Sequence, residues 1–258
     1  MLLGDRLKSG EVLCTAWSGV PDALTVEILA AQGFEAITLD MQHGGHTEDS
    51  VLRGLAPVLS AGKHAIVRIP VGRFDMASRA LDFGAEAVIA PMVNSVEDAR
   101  RFAAAMKYPP VGERSWGPTY AGPRAGSTSQ QDWLQNANAR TFAIAMIETR
   151  AAVDALDGIL ATPGIDGIFL GPSDFSIAWT NGGTIDATLE DMMPTVENVV
   201  ARAKQAGKPA GIYVLNPAVS GRFVSMGYQL LAMGSEHALI KLGSETFLKA
   251  VRNSIDAA

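Results

Sequence analysis

One cysteine, Cys14, stands in 258 residues, so no disulfide can form within the chain and a reducing compartment is expected. Blocks of lysine and arginine that follow a phosphate backbone are missing. With 21 basic against 27 acidic residues the net charge is −6, which argues against a nucleic-acid partner. Apolar runs stop well short of the ~18 residues of a membrane span, so no membrane partner is expected. At the start, MLLGDRLKSG sets Asp5, Arg6 and Lys8 where a secretory peptide needs its apolar stretch, and a cytoplasmic location follows as the expectation. Neither GxGxxG nor GxxxxGK(S/T) follows the first strand-like segment, which removes the usual nucleotide cradles. What remains is 48% hydrophobic residues with 26 glycines and 13 prolines, enough for a substantial folded core.

One internal rhythm decides the architecture. Gly33, Gly84, Gly164 and Gly227 each close a helix-like segment and lead at once into a short apolar run. Glycine suits the left-handed turn that ends a helix, and such runs read as parallel strands buried on both faces. The glycines recur at about twice the roughly 30 residues of a strand–helix unit in a (β/α)8 barrel, so they precede every second strand. The other strands fall where this scheme needs them: Val12 to Trp17, Ala65 to Ile69, Thr141 to Ile147 and Pro209 to Val214. Helices are expected over Ala23 to Gln32, Glu48 to Leu59, Met76 to Phe83, Val96 to Met106, Ala151 to Ala161, Leu189 to Ala206 and about His237 to Ile255. An open doubly wound sheet also alternates strand and helix. The even spacing of about eight strands favours one α/β domain over residues 1–258, a closed (β/α)8 TIM barrel.

In such a barrel chemistry sits at the C-terminal ends of the strands. The second strand runs out at Asp40, followed by Gln42 and His43 in a glycine-rich loop. The third carries Arg68, the fifth ends at Glu148, and the sixth opens into Gly171-Pro172-Ser173-Asp174. Glu148 and Asp174 lie about one strand–helix unit apart, so their strands are neighbours roughly 4.8 Å apart. Carboxylates converging that closely repel unless a proton or cation intervenes, and two oxygen ligands suit a hard ion such as Mg²⁺ or Mn²⁺. The plainer alternative places each acid in the first turn of the next helix, where the macrodipole favours it.

His43, near Asp40, can act as a general base at neutral pH. Its alternative is a surface or capping residue. His43 and His46 together raise zinc, but no third nitrogen or sulfur ligand stands nearby. Arg68, a charge on a buried strand, needs a partner such as Asp40, and it also offers positive charge to a carboxylate or a developing enolate. Gly171, Pro172 and Ser173 form a tight turn at a helix start, a seat for an anion. The Pro/Gly-rich stretch from Tyr108 to Ser129, with Arg114, Trp116, Tyr120 and Arg124, is too long for an ordinary connection and reads as a lid or subunit contact.

Leu39-Asp40-Met41-Gln42-His43, Val67-Arg68-Ile69-Pro70, Ala90-Pro91-Met92-Val93, Gly112-Glu113-Arg114-Ser115, Met146-Ile147-Glu148-Thr149 and Gly171-Pro172-Ser173-Asp174, in this order, resemble the HpcH/HpaI aldolase family. The resemblance implies a metal-dependent barrel of the phosphoenolpyruvate/pyruvate superfamily. It also implies a homo-oligomer, often a hexamer, in which the C-terminal helix at about 237–255 is exchanged between subunits. It makes Glu148 and Asp174 the metal ligands, His43 the base and Arg68 the stabilising cation. Asp40 becomes a positioning acid, Asp82 an acid supporting the base from the same or a neighbouring subunit, and Arg124 a loop arginine at the substrate. Met146 and Gln42 depart from the glutamine and glutamate that many members carry, which implies an altered polar lining.

The activity implied is cleavage or formation of a 4-hydroxy-2-oxo acid through a pyruvate or hydroxypyruvate enolate, with an aldehyde partner and Mg²⁺, Mn²⁺ or Co²⁺ as cofactor. No lysine is expected at a strand tip, which disfavours a Schiff base. Two alternatives stay open: a 2-oxo acid decarboxylase or acyl lyase on the same metal site, and a catalytically silent barrel that binds a 2-oxo acid.

Overall fold

The computed structural model describes residues 1–127 and 129–257. Thr128, in the long loop, and Ala258 lie outside the described residues. A short helix, α1 (Leu3–Lys8), precedes β1 (Leu13–Ser18), α2 (Ala23–Ala30), β2 (Ala36–Asp40), α3 (Glu48–Ser60), β3 (His64–Arg68), α4 (Phe74–Phe83), β4 (Ala87–Ala90) and α5 (Val96–Met106). The long loop holds α6 (Ala121–Arg124) and leads to α7 (Gln130–Arg140) and β5 (Phe142–Ile147). The chain continues through α8 (Arg150–Asp154), α9 (Leu156–Ala161), β6 (Gly167–Leu170), α10 (Pro172–Trp179) and α11 (Met193–Gln205). It closes with β7 (Ala210–Tyr213), α12 (Ser220–Met226), β8 (Leu230–Met233) and α13 (Glu236–Asp256). All eight strands are parallel, and β8 pairs with β1 to close the barrel.

Two apolar layers hold it. Strand residues facing outward, among them Ile37, Leu39, Val67 and Val88, pack with helix residues such as Val26, Leu55 and Phe102. Residues facing inward form a separate core of Leu13, Ile66, Ile89, Phe142, Ile144 and Phe169. Leu3 and Leu7 of α1 join that inner core, so the N-terminal helix plugs the floor of the barrel. Gln229 Nε2 donates to the Leu7 carbonyl and the Leu3 N–H to Glu86, which pins the plug in place. Because successive strand residues alternate between the two layers, the last inward positions of β2 and β3 are Asp40 and Arg68. They are register partners on neighbouring strands.

Several local expectations change. Gly84 and Gly227 adopt φ of 112° and 115° at the ends of α4 and α12, as the rhythm predicts, whereas Gly33 is not among the glycines with positive φ. Its turn needs no left-handed residue. The expected helix over 151–161 is two, because the chain turns at Ala155. The expected helix from Leu189 opens with a single 3₁₀ turn over Glu190–Met192, and Pro194 then sits in the first turn of α11, where its missing N–H costs nothing. Helices α1, α6 and α7 were not among those expected, while α10 and α12 were signalled only by the helix start at Gly171 and the helix end at Gly227. No helix among the described residues is long and apolar enough to cross a membrane.

Candidate active site

A cavity of about 290 Å³ opens at the C-terminal rim, lined by Trp17, Asp40, His43, Arg68, Met146, Gly171, Ser173, Asp174 and Tyr213 among others. Its polar frame is the pair Asp40–Arg68. Arg68 Nε donates to Asp40 Oδ1 at 2.8 Å and Nη2 to Oδ2 at 2.6 Å, a two-pronged bond with both side chains buried. Trp17 Nε1 donates to Oδ2 at 3.1 Å, and the Trp17 ring lies 4.8 Å from the Arg68 guanidinium. Burial pushes the Asp40 carboxyl up, but the hydrogen bonds and charge of Arg68, with the Gln42 N–H and Trp17, outweigh it and hold the group below its ordinary value.

Asp40 also shapes the loop that carries His43. Its two oxygens accept the backbone N–H groups of Gln42 (2.9 Å), His43 (3.4 Å) and Gly44 (3.0 Å). The carboxylate therefore meets the His43 backbone, not its ring. Asp40 is a positioning acid through the loop backbone, and His43 stands exposed at the cavity mouth. The expectation for Gln42 is corrected. Its Oε1 accepts the Val71 N–H at 2.8 Å, so the side chain ties two loops together and does not line the cavity. Met146 does line it, from the inner face of β5.

Glu148 follows β5 and is buried, only 3% exposed. The Met92 N–H donates to its Oε2 at 2.8 Å. Met92 holds φ of 53°, a left-handed backbone that costs a non-glycine residue on the order of 1 kcal/mol and here aims an N–H at the carboxylate. Gly171, at the start of α10, lies against the same group: a β-carbon there would sit 2.5 Å from Glu148 Oε1 and 2.7 Å from the Met146 Cε. Asp174, in the first turn of α10, faces Glu148 closely enough for its charge to be felt. Burial, reinforced by the neighbouring Asp174 charge, pushes Glu148 from 4.5 up to about 7 against the opposing pull of the Met92 N–H and Arg68. Asp174 thus has both placements, in a helix's first turn and beside the other carboxylate.

Two expected site residues lie elsewhere in the chain. Asp82, at the end of α4, accepts Arg114 Nη2 at 2.6 Å and does not line the cavity. Arg124 donates to the carbonyls of Phe83 and Leu52 and rests 5.7 Å from the Tyr120 ring. Both belong to the long loop's attachment to α4 and α3, so the described part of that loop is no lid over this chain's cavity. Among the described residues no group of three or more His, Cys, Asp or Glu is placed to hold a metal. His46 is buried between Ser18 Oγ at 3.0 Å and Ser50 Oγ at 3.1 Å. No lysine lines the cavity.

Three contributors were not foreseen: Trp17, Tyr213 and the Met92 N–H. Trp17 and Tyr213 meet edge to face at 5.3 Å across the barrel mouth. Both sit at strand tips, so extending the search of strand ends from charged to aromatic residues finds them. Met92 gives no such signal, since only its backbone acts.

The chain matches the family model for HpcH/HpaI aldolase/citrate lyase over residues 14–241. It is 36% identical over 235 residues to a hydroxypyruvate/pyruvate aldolase of Roseovarius nubinhibens, covering 91% of this chain and 90% of that one. It is 32% identical over 242 residues to a 4-hydroxy-2-oxo-heptane-1,7-dioate aldolase of Salmonella dublin, covering 93% and 90%. Among solved structures, an HpcH/HpaI aldolase from Desulfitobacterium hafniense superposes with a TM-score of 0.88 at 28% identity, covering 98% of this chain and 97% of that one.

Proposed function

Because the chain belongs to the HpcH/HpaI aldolase/citrate lyase family, we propose that it is a divalent-metal-dependent aldolase acting on 4-hydroxy-2-oxo acids, with pyruvate or hydroxypyruvate as the donor. The observation that carries this reading is the convergence of Arg68, His43 and Asp174 on one cavity, with Glu148 buried behind Gly171. Two carboxylates, one pushed toward neutrality by burial and by the other's charge, are a donor set that fits a hard cation such as Mg²⁺, Mn²⁺ or Co²⁺. When bound, such an ion supplies positive charge where the keto oxygen of the 2-oxo acid becomes anionic.

The chain's own groups do the rest. Arg68, fixed by Asp40, adds a second positive charge beside that oxygen. Pro172 opens α10 at the cavity wall, while the Gly171 N–H is held by the Ile147 carbonyl. The N–H groups of Ser173 and Asp174 in the first turn of α10, which have no partner within the helix, suit the substrate carboxylate. His43 takes the proton of the 4-hydroxyl group. The C3–C4 bond then breaks, its electron pair stays on the donor fragment, the aldehyde leaves, and a proton returned to C3 completes the 2-oxo acid. With no lysine at the cavity, a covalent Schiff base has no group to form it.

Aldol cleavage of 4-hydroxy-2-oxo acids, followed by release of pyruvate or hydroxypyruvate, tests the proposal. Turnover is expected to vanish on exhaustive chelation and to return with any of the three ions. Full activity after chelation sinks it.

The same reading gives an assembly. Helix α13 exposes Ile240, Phe247, Leu248, Val251 and Ile255 at helical spacing, and Glu236 is its only buried residue. We propose that this stripe docks on another copy of the chain, as in a hexamer. In such an assembly Asp82, which does not line the cavity of its own chain, is the acid to test for a role at a neighbouring one. Phe247→Glu is expected to shift the protein to a smaller species in sedimentation. An unchanged mass at micromolar concentration refutes the docking.

A further inference from the structure

Helix α13 makes one polar contact with the barrel that its apolar stripe does not explain. Its first residue, Glu236, is 4% exposed in a helix otherwise turned to solvent. The carboxylate accepts three donors from the end of β1 and the two residues after it: Ser18 Oγ at 2.7 Å, the Gly19 N–H at 2.9 Å and the Val20 N–H at 3.3 Å. A carboxylate buried on neutral donors alone is costly. A helix merely leaning on the barrel would not need one.

The clamped segment is itself fastened to the His43 loop by two routes. Ser18 Oγ lies 3.0 Å from His46 Nε2, and His46 Nδ1 lies 3.1 Å from Ser50 Oγ at the start of α3. The Gly19 carbonyl accepts the Gly45 N–H at 2.8 Å. Gly44 is pressed so closely that an added β-carbon would lie 2.9 Å from Gly19 Cα. On its other side, the loop is held by Asp40 at Gln42, His43 and Gly44. His43 is thus suspended between two anchors, the Asp40 carboxylate and the Glu236 clamp.

We propose that Glu236 is a positioning residue for the His43 loop, acting through Ser18 and His46 and through the Gly19–Gly45 bond. The seating of the C-terminal helix and the aim of the base are then one mechanical unit. This deepens the aldolase reading, and it is testable without turnover.

The experiment compares the full-length parent with Glu236→Ala, Ser18→Ala and, as a control on the same helix, His237→Ala. Amide hydrogen exchange is the readout that needs no activity. In Glu236→Ala, exchange over residues 41–46 is expected to accelerate about tenfold or more, while the strands keep their protection. In the aldol-cleavage assay kcat is expected to fall roughly ten- to a hundredfold, with the KM for the 2-oxo acid within about twofold. A purely structural seat would instead lower kcat only in step with loss of the assembly. If Glu236→Ala does not fold, Ser18→Ala carries both readouts, since Glu236 keeps its two backbone donors in that variant. Unchanged exchange over 41–46, or a kcat within about twofold of the His237→Ala control, overturns the proposal. If the parent has no aldolase activity, that reading fails by itself and exchange alone decides this one.

Discussion

Glu148→Gln is expected to abolish turnover and yet to stabilise the metal-free protein at pH 8. The first effect follows from losing one of two carboxylates in the donor set, and a fall of at least ~10³-fold is expected. The second follows from proton linkage. Burial and the Asp174 charge raise Glu148 from 4.5 to about 7 in the folded chain. Between those values the folded state holds a proton that the unfolded state has released, so stability declines as pH rises through that window. The penalty is absent below about pH 4.5 and fully felt above about pH 7. A neutral glutamine never carries it, and the gain at pH 8 should be on the order of 1–3 kcal/mol.

Thermal melts of parent and variant, both stripped of metal, check this: the two curves should converge near pH 4.5 and separate by several degrees at pH 8. Added divalent cation should reverse the order, because only the parent keeps both ligands. A parent that is the more stable of the two at pH 8 without metal contradicts the account of the site.

The other large effect concerns Arg68. Arg68→Ala leaves Asp40 as a buried carboxylate without its two-pronged partner, which should cost about 3–5 kcal/mol of stability as well as activity. Asp40 keeps the Trp17 indole and three backbone N–H groups, so the lower end of that range is the better expectation. Removing both charges together, as Asp40→Asn with Arg68→Met, should be milder than the two single changes combined by at least about 2 kcal/mol. Arg68→Lys preserves the charge but cannot form the fork, and an intermediate loss is expected. Urea unfolding of the parent, Arg68→Ala, Arg68→Lys, Asp40→Asn, Arg68→Met and the double variant measures all of these. Simple additivity across the pair would show that the two side chains do not depend on each other.

The eightfold alternation and the rim position of Asp40, Arg68, Glu148 and Asp174 could be read from the chain because both are local. Strands buried on both faces are short apolar runs, and a charge at the end of one stands out against them. What could not be read is which groups face each other. The spacing of Asp40 and His43 suggests a carboxylate holding an imidazole, yet the peptide N–H groups of a tight loop are nearer and capture the carboxylate first. Gln42 was expected in the lining, but a vacant N–H at Val71 draws it away. Asp82 and Arg124 look available in the sequence, and Arg114 and two backbone carbonyls claim them. For Asp40 and Gln42 the hydrogen bonding of loop backbone decided the outcome, and for Asp82 and Arg124 partners distant in the chain did; composition carries no trace of either. The Glu236 clamp was hidden for another reason, since it joins chain segments from opposite ends of the sequence.

The floor of the barrel has a practical consequence. Leu3 and Leu7 are sealed inside it while Met1 is 87% exposed on the same side, opposite the rim where Asp40 and Asp174 stand. A surface tether joined at Met1 should therefore leave the mouth facing bulk solution. Trimming the first eight residues should instead uncork the barrel from beneath and let water into its centre.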